Sequence, residues 1–202
     1  MTLLVANKVL SVDHLKSFVE RSYPELKPKL ANATSLKIVV DIVEDECTII
    51  NIAAVEDIVE FYDITEAKEL IAEYNKSVDE FCSQMKLEFM LDKSLSSSHA
   101  SLTCEKIEFV LEWDPTEHSL NDIRHLLEKA FEDTKKRVIV RTIRRGNSII
   151  VTCYAPHHLM DALLLEVQAN LPVLQEEFSL IRLTIGHYSV YDRSIKDKVC
   201  NN

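Results

Sequence analysis

Arg137 to Pro156 reads RVIVRTIRRGNSIIVTCYAP. Two runs of β-branched residues flank Arg145-Gly146-Asn147-Ser148, where glycine permits the positive φ that a tight hairpin needs, so the stretch predicts two adjacent antiparallel strands. Upstream, Ile107, Phe109, Leu111 and Trp113 alternate with Lys106, Glu108, Val110 and Glu112, the period of a half-buried strand. Asp114-Pro115 closes that strand. Ser119, with Asp122 three residues on, caps a helix whose inward stripe is Leu120, Ile123, Leu126, Leu127, Ala130 and Phe131. Beyond Pro156, Leu159, Leu163, Val167, Leu171 and Leu174 mark a second helix, bent or restarted at Pro172. Leu180 to Asp192, LIRLTIGHYSVYD, reads as a last strand with Ile181, Leu183 and Ile185 inward.

The resulting order, β-α-β-β-α-β over residues 103–192, predicts a ferredoxin-like split βαβ domain. In that two-layer sandwich two helices cover one face of a four-stranded antiparallel sheet and leave the other face open. Residues 193–202 follow as a tail.

Upstream of the sheet the rhythm is helical. After Ser11, Val12, Leu15, Phe18 and Val19 recur at helical spacing until Pro24 and Pro28. Leu36, Val39, Val40 and Val43 form a stripe that Ile38 and Ile42 widen, which predicts a segment buried on most sides, with strand as the alternative. Ile52, Val55, Ile58, Val59 and Tyr62 follow. Asp63 with Glu66 predicts a capping box for the longest helix, striped by Ala67, Leu70, Ile71, Tyr74, Val78, Phe81, Cys82 and Met85. KLEFML (Lys86 to Leu91) alternates like a strand. Residues 92–102, DKSLSSSHASL, lose all periodicity and predict a linker, so the chain divides into a helical domain at 1–91 and the βαββαβ domain at 103–192. The fold class is α+β.

Composition excludes several functions. The chain has 202 residues, 47% hydrophobic, and a formal net charge of -10, with two glycines and five prolines. No glycine-rich phosphate loop is present. Residues 1–100 carry 10 basic and 18 acidic side chains, net -8, and residues 101–202 carry 13 and 15, net -2. Such an acidic first half opposes binding to nucleic acid or anionic membrane. No apolar run approaches a membrane span, and MTLLVANKVL lacks the form of a signal peptide, so a cytoplasmic protein is expected and Asn32-Ala-Thr34 and Asn75-Lys-Ser77 read as chance glycosylation patterns. The five cysteines, Cys47, Cys82, Cys104, Cys153 and Cys200, are too far apart for a zinc knuckle or a redox pair.

Few side chains suggest chemistry. His157, His158 and Asp161 share one turn, yet no local spacing supplies a third metal ligand. Cys153 near His157 could imitate a thiol nucleophile and base, but its parity with Ile149 and Val151 places it in the core. The SIIVTCYA strand holds Tyr154 alone where an RNA-recognition domain displays several stacking aromatics. The outstanding feature is basic: Lys135, Lys136, Arg137, Arg141, Arg144 and Arg145 fall within eleven residues that include no acid. Parity puts Arg137, Arg141 and Arg145 with Ile139 and Ile143 on one side of a strand. There they either protect a sheet edge or form a docking site for an acidic surface, supplied by the helical half of this same chain or by another protein. Together with Val110, Ile150 and Tyr154 they make the expected interaction surface: an open face apolar enough to need covering by a protein partner or a second copy.

CTIINIAAVEDIVEFYDITEAKELIAEYNKSVDEFC (from Cys47), IEFVLEWDPTEHSLNDIRHLLEKAF (from Ile107) and GNSIIVTCYAPHHLMDALLLEVQANLPVL (from Gly146) resemble regions of uncharacterised proteins of simple invertebrates that often carry a death domain. The likeness is one of pattern over most of residues 45–192, and that group offers no catalytic motif to carry over. No six-helix death domain is legible in this chain. What the resemblance implies is an intracellular signalling or scaffold region. The expected function is therefore a non-catalytic protein–protein interaction module, an adaptor without cofactor or metal. A small-ligand-binding regulatory domain on the same fold is the alternative.

Overall fold

A computed structural model describes residues 11–95 and 104–194. The chain forms two compact units, which divide between Val78 and Asp79. That point is upstream of the serine-rich stretch expected to be the linker. Within the described residues no helix is long and apolar enough to cross a membrane.

The first unit, residues 11–78, is helical. Ser11 caps α1 (Val12–Ser22) by accepting the His14 N–H at 3.2 Å, and the helix buries Leu15, Phe18 and Val19. Pro24 opens a 3-10 turn (Pro24–Leu26) that runs into the single turn α2 (Lys27–Leu30), so both prolines sit at first-turn positions, where their missing N–H groups cost nothing. α3 (Leu36–Asp45) is a helix and not the alternative strand. Ser35 caps it, and Val39, Val40 and Val43 are buried. Ile38 remains 40% exposed, so the segment is amphipathic rather than enclosed. α4 (Ala53–Phe61) buries Ala53, Ala54, Ile58 and Val59. The core of the unit joins Leu15, Val19, Leu26, Leu30, Val39, Val43 and Ile58.

Asp63 does not cap α5 (Thr65–Gln84) as expected. It ends α4 instead. With φ at 50° it takes the left-handed position just past the helix, where its N–H bonds the Glu60 carbonyl and the Ile64 N–H bonds the Val59 carbonyl. Its carboxylate pairs with Lys68. Along α5, Ala67, Val78 and Cys82 are buried and Ile71 half-buried, whereas Leu70 and Tyr74 of the expected stripe lie exposed.

The second unit holds residues 79–95 and 104–194. Its sheet has five antiparallel strands in the order β2-β3-β1-β4-β5. They are β1 (Cys104–Leu111), β2 (Ile139–Arg145), β3 (Ile149–Pro156), β4 (Leu180–Ile185) and β5 (Tyr188–Asp192). Four strands were expected. The fifth arises because Gly186, at φ +56°, turns LIRLTIGHYSVYD back on itself. Gly146 does not take the left-handed φ assigned to it; the β2–β3 loop closes through Gly146 N–H to the Ser148 carbonyl at 2.9 Å.

Ile107, Phe109 and Leu111 of β1 face the same side as Val140, Ile143, Ile149, Val151, Cys153, Leu183 and Ile185, all buried. α6 (Leu120–Ala130) and α7 (Met160–Glu177) pack against each other, and an edge contact between the rings of Phe109 and Phe131 at 6.0 Å ties the end of α6 to this face. The Asp122 carboxylate accepts the Ser119 N–H at 2.7 Å, as its spacing implies. α7 runs unbroken through Pro172. Leu180, not Ile181, takes the inward position opposite Leu111, because β4 shifts register there.

KLEFML is not a strand. Leu87–Phe89 forms a 3-10 turn with Leu87 buried and Phe89 exposed. Residues 92–95 of the expected linker instead cover the outer edge of β2: Asp92 N–H bonds the Ile143 carbonyl and Leu95 N–H the Arg141 carbonyl, both at 2.8 Å. Residues 96–102 lie outside the described residues, as do Cys200 and most of the expected tail.

Candidate functional site: the open face of the sheet

The sheet's other face is built in three rows across the strands. The central row is polar: Thr142, Thr152, Glu108 and Thr184 lie side by side on β2, β3, β1 and β4. One row over come Arg144, Ile150, Val110 and Arg182. On the opposite side lie Ile139, Tyr154 and Lys106. Short side chains in the middle and long ones on both sides let the long ones fold inward. They meet at Glu108.

The Glu108 carboxylate accepts from Lys106 Nζ at 2.6 Å and lies 3.4 Å from Arg182 and 3.7 Å from Arg144. Its side chain is only 14% exposed. The Lys106 hydrogen bond holds this carboxyl below the ordinary glutamate range against the opposing effect of burial, and the charges of Lys106, Arg182 and Arg144 add to the depression. Val110 and Ile150 lie between the two arginines in the same row, and Val110 is 8% exposed. Thr152 is buried beside Glu108, at 5% exposure, and its hydroxyl has no hydrogen-bond partner among the described residues. Asp192 on β5 lies opposite Arg182 and accepts from Ser194.

Of the eight expected surface residues, Val110, Ile139, Ile150 and Tyr154 share this face, and Arg141 reaches it, its guanidinium 5.6 Å from the centre of the Tyr154 ring. Three do not. Ile143 pairs with Val151 on the helix-covered face and is fully buried. Arg145 pairs with Ile149 at the end of β2 on that same side, close enough to lower the Asp114 carboxyl slightly, after the hydrogen bonds from Thr116. Arg137 stands in the 3-10 turn Lys135–Arg137 before β2 begins. The cause is a bulge: the β2–β3 register shifts between Val140 and Thr142, so Arg141 is the extra residue and every later side chain changes sides. Arg144 thereby replaces Arg145 on the open face.

The sequence reading missed Lys106, Glu108, Arg144, Thr152 and Arg182 as members of one site. Lys106 and Glu108 did carry a signal, since strand parity puts them with Val110. Arg182 carried one too, since the inward reading of Ile181, Leu183 and Ile185 turns it outward, but Arg144 carried none until the register of β2 was known. The open face also differs in kind from the expected apolar surface, because Val110 is shielded by this chain's own side chains and the centre is charged.

Elsewhere, Cys153 is fully buried and burial pushes its thiol far up, so it makes no dyad with His157. His157 Nδ1 meets Glu105 at 2.6 Å. No cluster of three or more His, Cys, Asp or Glu suited to a metal ion occurs among the described residues. In the first unit His14, Ser17, Phe18, Arg21, Phe61 and Tyr62 line an open cleft of about 290 Å³, where Phe18 and Phe61 stack at 4.3 Å.

Comparison of the chain with protein-family models, with curated proteins and with solved structures finds no match.

Proposed function

We propose that this protein is a non-catalytic interaction module whose second unit binds an acidic segment of a protein partner on the open sheet face. One observation carries the reading: Lys106, Arg144 and Arg182 converge on a single carboxylate, with Arg141 at the border, on a chain whose net charge is -10. A cationic island on an otherwise acidic protein favours acidic partners and repels basic ones. The half-buried Ile150 and Tyr154 beside it supply apolar contact area. The strand order β2-β3-β1-β4, with both helices between strands of that set, supports reading the second unit as a ferredoxin-like split βαβ with β5 appended. That fold argues for no particular activity, so the side chains of the face carry the functional argument. A role in signalling belongs to the same proposal and rests on the resemblance alone.

The test uses the full chain and matched synthetic peptides of acidic, neutral and basic composition. Acidic peptides bind, the affinity falls with added salt, and the double reversal Arg144→Glu with Arg182→Glu abolishes it. Equal binding of all three classes, or acidic-peptide binding that survives the reversal, overturns the reading. The alternative, a small-ligand-binding regulatory protein, draws on the aromatic cleft of the first unit, and a ligand-induced thermal shift that Phe61→Ala removes favours it.

A further inference from the structure

On α1, His14, Ser17, Phe18 and Arg21 follow the i, i+3, i+4, i+7 spacing that gathers side chains on one side of a helix. Phe61, the last residue of α4, and Tyr62 after it complete a cleft of about 290 Å³ with that side. The cleft lies in the first unit and shares no residue with the open sheet face.

Its body is aromatic. The rings of Phe18 and Phe61 stack at 4.3 Å, and Tyr62 meets them edge-on at 6.0 and 4.9 Å. Phe61 is nevertheless 54% exposed, so the ring cluster presents apolar surface to an incoming planar group. The volume suits one ring with a short side chain, at the small end of ligand clefts.

Its polar groups are unsatisfied. Arg21 lies 5.9 Å from the centre of the Phe61 ring and makes no ion pair among the described residues, although residues 1–100 carry 18 acidic side chains. The Tyr62 hydroxyl is buried with no hydrogen-bond partner, a deficit that costs stability until an acceptor reaches it. Burial pushes this phenol above the ordinary tyrosine range and the charge of Arg21 opposes the rise, which places the guanidinium in electrostatic reach of the hydroxyl. Tyr62 as a whole is only half-buried, so a small rotation of its ring carries the hydroxyl to the cleft wall. One guanidinium matches one negative charge, and its planar fork matches a carboxylate. A cationic ligand would meet Arg21 as a like charge, and a neutral one would leave it unpaired.

Going beyond the open-face reading, and giving a chemical class to the small-ligand alternative, we infer that this cleft binds a small aromatic carboxylate. Its ring packs on Phe61 in the place now taken by Arg21, and its carboxylate pairs with Arg21 and accepts from the Tyr62 hydroxyl.

The experiment titrates the full-length, ¹⁵N-labelled chain with hydrocinnamate, with its amide, with phenethylamine and with cyclohexanepropionate. Hydrocinnamate gives saturable shifts centred on residues 14–21 and 61–62, with a dissociation constant of about 1 mM or below. The amide and the amine give none at the same concentration, and cyclohexanepropionate, which keeps the charge but loses the ring, binds several-fold more weakly. Arg21→Gln abolishes the hydrocinnamate shifts and Tyr62→Phe weakens binding several-fold, whereas Arg144→Gln with Arg182→Gln leaves it unchanged.

Absence of saturable shifts with hydrocinnamate, equal binding by the amide or the amine, or binding that survives Arg21→Gln overturns the inference. A peptide ending in phenylalanine carries the same ring and carboxylate; if it binds more tightly than hydrocinnamate, the choice of a free small acid is overturned. Acidic-peptide binding to the open face is read on other residues, so either reading can fail while the other stands. Circular dichroism of each variant establishes that a lost shift is not lost folding.

Discussion

The guanidinium of Arg182 on β4 lies 3.4 Å from the carboxylate of Glu108 on β1, beneath which Thr184 and Arg182 themselves pair with Glu108 and Val110. The ion pair thus spans one step diagonally across the ladder. It is repeated from the opposite side by Arg144 on β2, two strands away from β1. A carboxylate at the middle of a sheet, tied to both flanks, links the charge of the face to the stability of the unit.

Glu108 should therefore govern part of the acid sensitivity. Its folded-state pKa lies below the ordinary 4.5, so the ionised group stabilises the fold above about that pH, and the contribution is lost as pH falls through the lower folded value. Glu108→Gln lowers stability near neutrality by on the order of 1 kcal/mol, a figure limited by the solvent exposure of the arginines. Thermal melts from pH 7 to pH 3 check this: the gap between native and variant proteins narrows below the ordinary glutamate pKa. A gap that is constant with pH contradicts it.

Ile143 and Ile150 provide a direct check on the bulge at Arg141. Ile143→Ala, on the helix-covered face, costs about 2–5 kcal/mol through lost burial and the cavity it leaves. Ile150→Thr, on the half-exposed open face, changes stability far less, by under about 1 kcal/mol. Denaturant titrations of the two variants should separate clearly; comparable losses would place both side chains on one face.

Two helices end on left-handed residues that are not glycine. Ser179, φ 50°, follows α7 and its carbonyl accepts the Glu112 N–H at 3.1 Å. Ser179→Gly relieves that backbone cost and raises stability by about 0.5–1 kcal/mol after allowance for the more flexible unfolded chain. At Gly186 the opposite holds. An added Cβ meets the Glu105 carboxylate at 2.7 Å and Met160 at 2.8 Å at φ +56°, so Gly186→Ala destabilises by about 1–2 kcal/mol and disturbs the Glu105–His157 contact. Calorimetry of both variants reads the two signs.

Thiol labelling reports on the cores of both units. Burial lifts the Cys47 thiol to about 11, while Cys82 and Cys153 are fully buried and likewise shifted upward by burial. At pH 8 all three label slowly with iodoacetamide in the native protein and quickly in denaturant. Fast native labelling at Cys153 would show that the helix-covered face opens readily.

Local spacing was enough for most of the elements. The stripe Leu120, Ile123, Leu126, Leu127, Ala130 and Phe131 is buried residue for residue, and the alternation of Ile107, Phe109 and Leu111 names the inward side of β1. Both signals are short-range, because helix and strand periods repeat within a few residues. Asp63 and Leu70 were misread for the complementary reason. A capping pattern cannot tell the start of one helix from the end of the previous one, and a stripe does not say which of its members finds a neighbour.

The amino-acid order alone settled an α+β chain, its helical first part, and the parity of Lys106, Glu108 and Val110. Folding in three dimensions settled which arginines meet Glu108. With a side-chain period of two, one extra residue at Arg141 exchanges Arg145 for Arg144 and sends Ile143 into the core. That extra residue is read only from the partners along the strand, which come from residues 92–95 on one side and β3 on the other, and pairing between distant segments leaves no trace in the spacing of either.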